Sequence, residues 1–88
     1  MRTWRIQEYD SLQLVGTYLV PATISRPEMC QILRLLAARH LQSSEIIHAS
    51  LRRRMRGRND LLEVRRDEGV LQIGENPFFV ATIVEDDA

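Results

Sequence analysis

The chain contains no lysine and only one cysteine, Cys30, among its 88 residues. A single thiol excludes an intrachain disulfide and suits a reducing compartment. No run of about 20 apolar residues is present, so no transmembrane helix is expected. The segment Met1-Arg2-Thr3-Trp4-Arg5 leads into no long apolar core and no small-residue cleavage site, which argues against a signal peptide and for a cytoplasmic protein. Glycine numbers four and proline three, and no linker, repeat or low-complexity tract divides the sequence. It holds no Gly-rich phosphate loop, nucleophile elbow or histidine–carboxylate metal motif. Net charge is also missing, with twelve arginines balancing twelve acids. The lack of lysine reads as a compositional bias of the coding sequence.

The remainder is an ordinary globular mixture, 44% apolar and 27% charged. Its length fits one domain, expected over residues 1–84 with an acidic tail at 85–88. A domain of this size buries roughly 60–65% of the surface its unfolded chain exposes, so its margin of stability is thin. The charge is unevenly spread. Residues 1–51 carry +1, residues 52–66 carry +5 and residues 67–88 carry −6. The simplest expectation is that the basic middle and acidic end neutralise each other.

Hydrophobic periodicity predicts the elements. Trp4 and Ile6 alternate with Arg5 and Gln7, predicting a half-buried strand over 3–9. A second strand is expected over 13–20, with Gly16 marking a bulge or a close backbone approach. In it, Leu14, Tyr18 and Val20 share one parity, and Val15, Thr17 and Leu19 the other. Ser25-Arg26-Pro27-Glu28 carries the signature of a capped helix start. Met29, Ile32, Leu33, Leu36 and His40 then follow helical spacing, widened by Leu35, Ala37 and Leu41. After a break at Gln42-Ser43-Ser44-Glu45, a second helix of about 12 residues is expected, with Ile46, Ile47, Leu51 and Met55 on one side and Gly57 as its stop. Strands at 62–66 and 70–73, joined by Asp67-Glu68-Gly69, form a hairpin. Gly74-Glu75-Asn76-Pro77 turns into a last strand at 78–84. The order is ββααβββ. Segregated strands and helices predict an α+β fold, an antiparallel sheet of about five strands with two helices packed on one face.

The last strand breaks the amphipathic rule. Phe78, Val80 and Val84 share one parity, and Phe79, Ala81 and Ile83 share the other, so both faces are apolar. Antiparallel sheets normally turn a polar face to water. Two helices cover one face, and a second copy of the chain is the most economical cover for the other. The expected function is therefore a non-enzymatic interaction or oligomerisation module. It would be a homodimer, or bind another protein, through Phe78, Val80 and Val84, with Tyr18 as a neighbour.

The alternative is a nucleic-acid binder using Arg52, Arg53, Arg54, Arg56 and Arg58, whose guanidiniums suit phosphates. Helix, break, helix and hairpin resemble a winged helix-turn-helix, in which the second helix enters the major groove. Against it, the arginines fall at the expected end of that helix, whereas its start, Ser44-Glu45-Ile46-Ile47, is acidic and apolar. Arginines at a helix end also complement its dipole. Trp4, Tyr9, Tyr18, Phe78 and Phe79 offer a weaker variant, base stacking on the sheet. His40, His48 and Cys30 have no metal-ligand spacing, and no metal or cofactor is expected. Cys30 in a helix's first turn reads as core filler rather than as a nucleophile. The acids at Asp67-Glu68 and Glu85-Asp86-Asp87 lie in a turn and a tail, where water is not excluded, so acid–base catalysis is not expected.

Overall fold

The computed structural model describes residues 2–85. The elements run β1 (Arg2–Asp10), β2 (Gln13–Pro21), α1 (Arg26–Ala38), α2 (Ser43–Ala49), β3 (Arg65–Asp67), β4 (Val70–Gly74) and β5 (Phe78–Glu85). All five strands form one antiparallel sheet in the order β2-β1-β5-β4-β3. The α+β class and the order ββααβββ follow the sequence pattern. Glu85, expected in an acidic tail, is instead the last residue of β5. Asp86, Asp87 and Ala88, the rest of that tail, lie outside the described residues. Among the described residues, no helix is long and apolar enough to cross a membrane.

Each strand alternates about the core as its period-2 pattern requires. Trp4 and Ile6 of β1, Leu71 and Ile73 of β4, and Phe79 and Ala81 of β5 are buried with Met29, Cys30, Leu33 and Ala37 of α1. The Trp4 indole nitrogen donates to the Ile24 carbonyl at 2.8 Å and ties the β2–α1 connection to the sheet. The start of α1 is set locally. The Ser25 hydroxyl accepts from the Glu28 amide at 3.2 Å, the Glu28 carboxylate accepts from the Ser25 amide at 3.0 Å, and Pro27 occupies the first turn. This satisfies two of the amides that a helix N-terminus leaves without partners.

Helix α1 supplies every fully buried helical residue, and α2 buries none. Leu35, expected to widen the core stripe, is exposed. Helix α2 also ends earlier than its pattern suggests, because tertiary hydrogen bonds take up its last carbonyls. The Asn59 amide donates to the His48 carbonyl at 3.4 Å and the Asn59 side chain to the Glu45 carbonyl at 3.2 Å, while the Ser50 hydroxyl bonds back locally to the Ile46 carbonyl at 2.9 Å. Residues 50–62 therefore form an irregular loop, and the expected strand at 62–66 is reduced to β3.

The arrangement is extended. Its longest dimension is 49 Å, and its radius of gyration is 13.9 Å, against about 12 Å for a typical domain of this length. Its accessible surface is 6455 Å², whereas a monomer of this mass exposes about 5,300 Å².

Candidate interaction surfaces

The register decides which side chains share the sheet's outer face. Tyr9 pairs with Phe78, Gln7 with Val80, Arg5 with Thr82 and Thr3 with Val84. These residues have the parity opposite to the buried Trp4, Ile6, Phe79 and Ala81, so they line the face away from α1. On β2, Leu19 pairs with Arg5 and Thr17 with Gln7. A bulge opposite Glu8 and Tyr9 then pairs Leu14 with Tyr9. It moves Leu14 to the outer face and out of the parity it shares in sequence with Tyr18 and Val20.

Strand β5 is the middle strand, and its outer residues Phe78, Val80 and Val84 are half-buried by their neighbours. Phe78 stacks on Tyr9 with ring centroids 4.9 Å apart and planes 11° from parallel. No helix packs over this face. Toward β2 the face becomes openly apolar, with Leu14 47% exposed and Leu19 66% exposed. Beside them, Arg5 keeps its Nε buried with no acceptor among the described residues. A buried donor without a partner costs about 1–3 kcal/mol.

The structure brings Phe78, Val80 and Val84 together but places Tyr18 elsewhere. Tyr18 pairs with the buried Ile6, which puts it on the α1 side of the sheet. The expectation that Tyr18 joins the outer patch is therefore corrected. Its parity was legible, but the face that parity takes depends on pairing with β1. Its ring lies back over Gly16, where a Cβ would stand 2.8 Å from the Tyr18 hydroxyl oxygen. The same hydroxyl donates to Glu8 Oε1 at 3.2 Å, while Glu8 Oε2 lies 3.7 Å from His40 Nε2. This Tyr18–Glu8–His40 chain links β2, β1 and the end of α1. Only the fold assembles it, and no spacing in the sequence announces it.

The arginine cluster lies on the loop after α2 rather than on a helix end, which corrects the expectation that it complements a helix dipole. Arg52, Arg53, Arg54 and Arg56 are exposed, and none of the five arginines pairs with a carboxylate among the described residues. Mutual neutralisation with the acidic C-terminal third is therefore not seen in the described part of the chain. Hairpin β3–β4 is joined to β5 and does not stand out as a free wing. Cys30 is buried in the core, with Arg66 Nη2 3.9 Å from its sulfur. His48 is exposed on α2.

Comparison with family models, curated proteins and solved structures gives no match. The functional reading therefore rests on these surfaces alone. Two of them stand out, the open apolar sheet face bounded by β2 and the unpaired arginine loop.

Proposed function

We propose that the protein is a small, non-enzymatic association module that dimerises with a second copy of itself through the outer sheet face. The observation that carries this reading is where the exposed apolar side chains sit. Five of the eight large ones among the described residues, Leu12, Leu14, Val15, Tyr18 and Leu19, fall between positions 12 and 19, and of these Leu14 and Leu19 lie on the outer face while Tyr18 lies on the α1 side. That segment includes most of β2, an edge strand with no charged residue over Gln13–Pro21. Natural edge strands usually carry charge, bulges or a cover against pairing with other chains. Here only the bulge and the terminal Pro21 are present, and the face beside them continues through Phe78, Val80 and Val84.

Area supports a second copy as the occupant. The chain exposes about 1,100 Å² more than a monomer of its mass should, and one partner in a stable complex contributes about 800 Å². With a formal net charge of zero, two copies meet without overall repulsion. In a two-fold arrangement each protomer offers the same patch. The single core thiol is in keeping with a cytoplasmic setting.

Sedimentation velocity from micromolar to several hundred micromolar tests the proposal. The expected species has twice the 10.2 kDa chain mass. Val80→Asp buries a charge at the interface and should weaken association at least 100-fold, with the circular dichroism spectrum unchanged. Leu35→Asp, on the exposed side of α1, should leave association intact. A wild-type chain that stays monomeric throughout this range would defeat the proposal, as would a Val80→Asp variant that is folded and still dimeric.

A further inference from the structure

The arginine loop closes on itself in a specific way. The Arg58 Nε donates to the Leu51 carbonyl at 3.2 Å. From the other side, the Arg34 Nε of α1 donates to the Leu62 carbonyl, also at 3.2 Å. These two bonds hold both guanidiniums against the backbone of one loop. Arg34, Arg58 and Arg53 then line a single cavity of about 330 Å³, with Ser50 on its wall and Glu63 as its one acidic group. Arg34 and Arg58 each use Nε on a carbonyl, which leaves their terminal nitrogens with no hydrogen-bond partner among the described residues. Arg53 makes no hydrogen bond there at all.

We infer that this cavity binds a phosphate group, either free or as a phosphomonoester. Guanidinium presents parallel donors that match two oxygens of a phosphate. Two of the three are already oriented by the fold, so less freedom is lost when a ligand arrives. Three arginines against Glu63 leave the cavity cationic, and Arg52, Arg54 and Arg56 on the same loop add to its potential. The carbonyl end of α2 at Ala49–Ser50 opposes an anion, but its partial charge of about half a unit is smaller than the arginine excess. Concavity distinguishes the site from a nucleic-acid track, which needs a charged stripe along several successive phosphates.

The test titrates inorganic phosphate into the full-length chain by calorimetry at pH 7.5. A thermal-denaturation series compares phosphate with chloride at matched ionic strength. Saturable binding at one site per chain is expected, with a melting temperature several degrees higher in phosphate. Arg53→Gln breaks no hydrogen bond of the fold. It should lower phosphate affinity at least tenfold while leaving the melting temperature in chloride unchanged. Arg26→Gln, at the other end of α1, should bind like the wild type. Equal melting temperatures in phosphate and chloride would overturn the inference, as would equal losses in the two variants. So would a single-stranded oligonucleotide that binds with a steep salt dependence while inorganic phosphate does not bind, because the loop would then track a polyanion. Each readout is independent of dimerisation, since Val80→Asp leaves the cavity untouched.

Discussion

Ser25 and Glu28 show how a four-residue pattern acts through single atoms. Their reciprocal bonds start α1, and replacing such a cap with alanine costs about 1 kcal/mol. Ser25→Ala should therefore lower stability by that amount in urea denaturation. The Ser25 amide, and secondarily its hydroxyl, hold the Glu28 carboxyl below its ordinary value of 4.5. A carboxyl depressed in the folded state binds fewer protons there than in the unfolded chain. Its contribution is thus complete above about pH 4.5 and fades as pH falls through the lower folded value. Glu28→Gln should be less stable than the wild type at pH 7, and the gap should close in acid. Gly16 works at the same scale. Its missing side chain leaves the space through which Tyr18 reaches Glu8.

Among the elements, the β3–β4 hairpin has the most local specification. Asp67 pairs with Val70 across a two-residue loop in which Glu68 has φ 47° and Gly69 has φ 82°. Positive φ at both positions is the geometry that suits Asn-Gly, and glutamate occupies the first of them under strain. Glu68→Asn should stabilise the fold by about 0.5 kcal/mol in the same denaturant assay. Such features were legible because neighbouring residues decide them. Cap, turn and alternating strand each carry a short-range signature, and so does the two-sided apolar character of β5. The loop at 50–62 was not legible. Ile47, Leu51 and Met55 keep helical spacing, but Asn59 and Arg58 reach back to the carbonyls of Glu45 and Leu51 and hold the chain in another path. The outer face was half legible. Phe78, Val80 and Val84 followed from parity, whereas the faces taken by Tyr18 and Leu14 depended on pairing with β1 and on a bulge. Arg34, a ligand candidate from α1, gave no sign in sequence that it would join Arg53 and Arg58.

Across the whole molecule, the two surfaces should respond oppositely to salt. Charge on an exposed loop is screened within about 8 Å at physiological ionic strength and within about 3 Å at 1 M. Burial of leucine, valine and phenylalanine does not depend on that screening. Raising sodium chloride to 1 M should therefore abolish phosphate binding but leave the dimer associated, as read by calorimetry and sedimentation on one sample series. The chain order adds a topological consequence. β1 lies before the arginine loop and β5 after it, and the two pair along eight successive residues at the centre of the sheet. Trypsin, which cuts after arginine, meets several exposed cleavage points on irregular backbone between Arg52 and Arg58. A chain cut there should run as two fragments under denaturing electrophoresis, yet elute as one particle from a native column. The peptide bond across that loop is dispensable to cohesion, since the two halves are already laced together through the middle of the sheet.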